Sequence, residues 1–218
     1  MNSKFKAQLL LTLVPAILLL FLVGWISYQF NVQIQIMTRD ITAIANIHPF
    51  SGFLSTFGIF LWCGVVFVCF FTAVILYRIG EKKHLRFLLS SAILSLYLLL
   101  DDMFLFHERL APNHLSIDEN VIFVLLGLTV FAYLIIFHKT IMQTRYQFLL
   151  LALFLLSSSV LIDAILEPWL KSLGQWEFFI EDGAKWLGIV SWGSYYYQTT
   201  FQLLLGVFKS TVKPNLIN

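Results

Sequence analysis

The sequence predicts an all-α membrane protein, a six-transmembrane-helix bundle with both termini cytoplasmic, and three observations predict it. Hydrophobic residues fill 59% of the 218 positions and charged residues only 12%, about half the charge of an ordinary soluble domain. Six segments reach or approach the ~20 apolar residues that a spanning helix needs. Basic residues alternate in density between the two ends of those segments, as the positive-inside rule requires. No internal repeat, low-complexity tract or composition break divides the chain, so a single integral membrane domain over residues 1–218 is expected.

The expected spans are 7–27, 55–77, 87–106, 120–138, 148–166 and 186–207. Lys4 and Lys6 precede the first, which resembles a secretory signal. Its apolar run is longer than the usual ~7–15 residues, and Val23-Gly24-Trp25 is a poor cleavage site, so a retained signal anchor is expected. Pro15 is placed to kink that span, and Pro168 to stop the fifth just after Glu167. The stretch from Tyr28 to Ser55 is a long, mostly uncharged outer loop that lies on the bilayer or folds over the bundle. Trp25, Trp169, Trp176 and Trp186 fall near the expected outer boundary, where indole rings favour the headgroup level.

On the side of the N-terminus lie Lys4, Lys6, Arg78, Lys82, Lys83, Arg86, Lys139, Arg145, Lys209 and Lys213. On the other lie only Arg39, Arg109, Lys171 and Lys185. A net charge of +2 leaves no basic stripe to grip phosphate backbones, which excludes nucleic acid as a partner. Cys63 and Cys69 are separated by ~9 Å of helical rise and point to different sides, so no disulfide joins them.

The third span carries the sharpest sign of chemistry. Its uncharged run from Phe87 to Leu100 amounts to ~21 Å of helix, and crossing a layer of ~30 Å carries Asp101 and Asp102 into the outer leaflet. Asp163 repeats the situation in the fifth span. Ionised carboxylates in hydrocarbon cost at least ~2.5–3.5 kcal/mol, so they turn inward and find partners. Helical phase puts Asp101 and Glu108 on one face, with Asp102 and His107 to either side, and puts Asp163 with Glu167. At the head of the sixth span Glu181, Asp182 and Lys185 fall within about one turn, and small Ala184 and Gly188 permit close helix approach beside them, as does Gly58 in the second span.

Several carboxylates held together need a positive companion: protons, Lys185, Arg109 or a metal ion. The candidate ligand set is Asp101, Asp102, His107, Glu108, Asp163, Glu181 and Asp182, and carboxylates with one imidazole suit a divalent Zn, Mn or Fe. Asp102, His107 and Lys185 are the candidate catalytic groups. Ser157, Ser158 and Ser159 form a polar notch before Asp163, with hydroxyls expected on backbone carbonyls. His48, His84 and His138 are read as interfacial, and His114, Asp118 and Glu119 as solvated loop.

The segments Pro49-Phe50-Ser51-Gly52 to Trp62, Leu100-Asp101-Asp102-Met103-Phe104-Leu105-Phe106-His107-Glu108 and Glu181-Asp182-Gly183-Ala184-Lys185-Trp186-Leu187-Gly188 resemble those of uncharacterised bacterial and cyanobacterial polytopic membrane proteins. The resemblance covers most of the chain. It implies a bacterial inner membrane and a shared site, and carries no activity with it. Two classes of function are expected from the residues. One is a metal-dependent intramembrane enzyme acting on an apolar or lipid-like small molecule. The other is a proton or cation pathway through the same carboxylates, for which the inner halves of the spans offer only Tyr97, Tyr195, Ser191 and waters. A third expectation is an accessory or assembly subunit, with membrane lipids and a complex as its partners.

Overall fold

A computed structural model describes residues 3–170, 172, 174 and 176–212, with side chains at 13–163, 165, 166, 168, 169, 172, 174 and 176–209. Expectations that rest on the side chains of Lys4, Lys6, Glu167, Lys171 and Lys213 lie outside the described residues. Among those residues the chain is all-helical and contains no strand. It divides into two compact units, Met1–Gly52 and Phe53–Asn218.

The first unit holds α1 (Ser3–Gln29), α2 (Ile34–Thr38) and α3 (Ile41–Ala45). Helix α1 runs through Pro15. The stretch expected to be one loop contains the two short helices, which end at Arg39 and at left-handed Asn46 (φ 51°). Asn tolerates that region better than most residues, and the turn it makes ends α3. Leu18 to Phe21 and Phe30 are exposed.

The second unit begins with α4 (Phe53–Arg78) and α5 (Leu85–Phe104). A π-helical segment (Phe106–Leu115), α6 (Glu119–Ile141), α7 (Gln147–Leu161), a π-helical turn (Ile162–Leu166), α8 (Glu167–Leu170) and α9 (Trp176–Val212) follow. Helices α4, α5 and α6 are long and apolar enough to cross a membrane. Phe60, Phe67 and Phe70 on α4, and Leu128, Phe131 and Ile136 on α6, are exposed. Only 11% of the apolar window of α6 is buried, so its surface suits hydrocarbon far better than water.

Three helices end or begin away from the bounds expected of the spans. The third span does not continue as regular helix to Phe106, because α5 ends at Phe104 and Leu105 turns left-handed (φ 50°). The fifth stops at Leu161 and passes into the π-helical turn, after 15 residues or ~22 Å of regular helix. Pro168 does not stop it, since the helical run continues through the π-helical turn into α8, which contains Pro168. The sixth helix starts at Trp176, ten residues before the expected span. Asp118, read as solvated loop, is exposed and also caps α6 by accepting the Asn120 N–H at 2.8 Å, which satisfies one of the unpaired donors of a helix start.

Helix α9 falls short of the apolarity of the three candidate spans because its polar residues face inward. Ser191, Trp192, Tyr195, Tyr196, Thr199 and Thr200 are buried, and α9 packs on α4 and α7. Gly188 makes the α7 contact close: a methyl group there would fall 2.7 Å from Leu156 Cγ. A buried hydroxyl cluster, Ser91 to Tyr133 at 2.7 Å and Tyr133 to Tyr196 at 2.9 Å, ties α5, α6 and α9 together, and Trp192 donates to Ser95 at 3.0 Å. Such bonds between helices contribute on the order of 0.6 kcal/mol each inside a membrane.

Candidate functional site

The left-handed turn at Leu105 builds the first half of the site. Its N–H bonds back to the Asp101 carbonyl, and the chain then enters the π-helical segment. His107 is thereby carried over the end of α5. Its backbone N–H donates to Asp101 Oδ1 at 3.2 Å, and its Nδ1 lies 2.7 Å from Asp101 Oδ2. Asp101 therefore pairs with His107, six residues on, and not along a shared face with Glu108. His107 Nε2 turns to Glu108 Oε1 at 3.5 Å, and the Phe123 ring of α6 packs at 4.8 Å from the imidazole.

The second half comes from α9. Lys185 extends its ammonium to Asp102, Nζ to Oδ1 2.5 Å, with the carboxylate only 7% exposed and the lysine 34%. Gly58 of α4 lies beside this pair: a Cβ there would meet Asp102 Oδ2 at 3.9 Å, an ordinary contact, and Ile189 Cδ1 at a tight 3.1 Å. Each of the two adjacent aspartates thus has a basic partner, which offsets the repulsion between neighbouring carboxylates.

Burial opposes a charge on His107, but the hydrogen bonds and charges of Asp101 and Glu108 outweigh it and raise the imidazole to about 9. The Glu108 hydrogen bond to His107 holds that carboxyl below its usual range. In the first turns of α9, ahead of the expected span, Glu181 is raised to about 7 by burial and by the nearby charges of Asp163 and Asp182.

Asp101, Asp102, His107, Glu108, Asp163, Glu181 and Lys185 all line one cavity of about 480 Å³. Asp182, counted among the candidate ligands, does not line it and is exposed. Arg109 is exposed as well. Below the charged rim the walls are apolar: Leu126, Val130 and Leu134 on α6, Leu153, Leu156 and Val160 on α7, with Trp62, Ile189 and Trp192 beneath. Helices α6 and α7 flank this space without extensive packing on each other. The apolar body, Gly127 included, was not visible as a site in the sequence, because a lining leucine and a lipid-facing leucine read alike.

Of the candidate ligands for a divalent Zn, Mn or Fe, Asp101 and Glu108 lie against His107, and Asp102 lies against Lys185. Among the described residues no three His, Cys, Asp or Glu side chains converge to hold a metal ion. The serine notch behaves as expected in part: Ser158 donates to the Phe154 carbonyl at 2.7 Å, while Ser157 and Ser159 line the cavity. Both His107 nitrogens already face carboxylates, so the imidazole does not stand as base to a serine.

The chain belongs to a family described as Domain of unknown function (DUF8692), which matches residues 9–199. No curated protein and no solved structure matches it.

Proposed function

We propose that this family member is a multi-pass protein of the bacterial inner membrane. In this reading it has six spans and cytoplasmic termini, and it binds an apolar, lipid-like molecule and acts on the molecule's polar end near the outer face. One observation carries the reading: a single cavity joins a rim of seven ionisable groups to a body of leucine, valine and tryptophan side chains. That division matches a molecule with one polar end and one apolar end, and concave, mostly apolar spaces with a few convergent polar groups are where ligands bind.

The chemistry the rim supports is proton transfer. His107, held by Asp101 through Nδ1, presents Nε2 towards Glu108, so a proton can pass between imidazole and carboxylate beside the substrate's polar end. Asp101 fixes the orientation of the ring and stabilises its charged form, as a buried carboxylate does beside a catalytic imidazole. The Asp102–Lys185 pair sets a fixed dipole at the same end. No step is routed through a metal.

Gly127 lines the cavity and has nothing within 4 Å of its Cβ position, so Gly127→Trp fills the space with little strain on the bundle. Protein purified in mild detergent is expected to retain a discrete apolar species by mass spectrometry. Gly127→Trp is expected to lose it while keeping its thermal midpoint. Equal retention by both proteins, or no species above the detergent background, refutes the reading.

A further inference from the structure

Resting on the reading of the cavity as a site for a molecule with one polar and one apolar end, we propose that its occupant is a long-chain ammonium amphiphile, with the cationic head among the rim carboxylates and the chain between α6 and α7. The charge of the lining argues for the head. Five carboxylates, Asp101, Asp102, Glu108, Asp163 and Glu181, face two basic side chains, His107 and Lys185. Both bases already lie against carboxylates, His107 on Asp101 at 2.7 Å and Lys185 on Asp102. A phosphate or sulfate head would therefore meet an excess of negative charge with its natural partners engaged, whereas an ammonium reduces that excess. Even with Glu181 protonated, the acids outnumber the bases by two.

Phe123 adds to the preference, since it lies against the rim imidazole at the level of the head, whereas Trp62 and Trp192, with centroids 5.8 Å apart, form the floor and meet the chain. Ring faces attract cations and repel anions. The apolar walls argue for the chain. From Phe123 to Leu134, α6 lines the cavity over ~16 Å of helix, and α7 stands opposite without closing on it. A small hydrophilic cation would leave that length of leucine and valine unfilled.

Trp62 and Trp192 make the test direct, because a brominated chain in the cavity quenches them. Trp25, Trp169, Trp176 and Trp186 are replaced by Phe, and the protein in nanodiscs is titrated with three amphiphiles of one bromoalkyl chain, bearing a trimethylammonium, a sulfate or a hydroxyl head. Quenching by the ammonium compound is expected to saturate at a mole fraction about tenfold lower than by the sulfate, the effect of one favourable charge contact in partly desolvated surroundings. In Asp163→Asn/Glu181→Gln the difference is expected to shrink while quenching by the alcohol is unchanged. Tetramethylammonium, which lacks the chain, is expected not to compete.

Equal saturation by all three, or preference for the sulfate, overturns the ammonium assignment and leaves the apolar cavity standing. Competition by tetramethylammonium as strong as by the long-chain compound overturns the amphiphile. No quenching by any of them removes both this proposal and the binding reading beneath it.

Discussion

At the scale of single residues, the site rests on His107 being held charged where an ordinary imidazole is neutral. Its folded value of about 9, against 6.5 for a free imidazole, fixes the sign of the linkage. Stability from the Asp101–His107–Glu108 contacts is fully present below pH 6.5 and is lost as pH rises through about 9. Glu181 works in the same direction lower down. Its value of about 7 means that the folded chain keeps a proton which an unfolded chain gives up above 4.5, so its contribution also falls as pH rises through that window. The thermal midpoint of the purified protein is therefore expected to decline between pH 6.5 and 9, and His107→Gln to flatten that part of the curve. An unchanged slope in His107→Gln would mean that the pair with Asp101 contributes nothing to folding. A Gln keeps a hydrogen-bonding side chain, so a lost slope reports the charge and not simply a lost contact.

At the scale of elements, the decisive local event is the termination of α5. Fourteen uncharged residues followed by Asp101 predict acids that turn inward, and both aspartates are buried, at 8% exposure. The turn itself was not legible. Leucine has no preference for positive φ, and a left-handed leucine costs roughly 1–2 kcal/mol, so periodicity ran on to Phe106 and paired Asp101 with the wrong neighbour. What offsets the cost is the pairing the turn makes across itself: two hydrogen bonds from His107 to one carboxylate six residues back. Leu105→Gly is expected to be tolerated, since the strain it relieves is countered by a freer unfolded chain and lost side-chain packing. Leu105→Val places a β-branched residue at φ 50° and is expected to destabilise by ~1–2 kcal/mol more than Leu105→Gly. Chemical denaturation of the two variants side by side checks the difference. Equal losses would show that the left-handed turn is not what holds His107 over Asp101.

At the scale of the whole molecule, the second, third and fourth expected spans coincide closely with α4, α5 and α6, because an apolar run of spanning length is a strong signal by itself. The last helix was harder to read. Its Tyr, Thr, Ser and Trp residues are buried by packing on α4 and α7, and burial by protein leaves no trace in a hydropathy count. The site was legible to the extent that charge is costly in hydrocarbon: seven of the eight residues selected on that argument line one cavity. Their pairing, acid to base, depends on how α5 ends and where α9 begins. The alternation of sides follows from the same physics and is testable. With Cys63 and Cys69 replaced by Ala, single cysteines at exposed Lys83, Asn113 and Met142 bracket α5 and α6. If the basic loops face the cytoplasm, a membrane-impermeant maleimide labels Asn113→Cys in intact cells, and labels Lys83→Cys and Met142→Cys only after the membrane is opened. Labelling of all three from outside would mean that α5 and α6 do not both cross, and the charged rim would then have no outer leaflet to open onto.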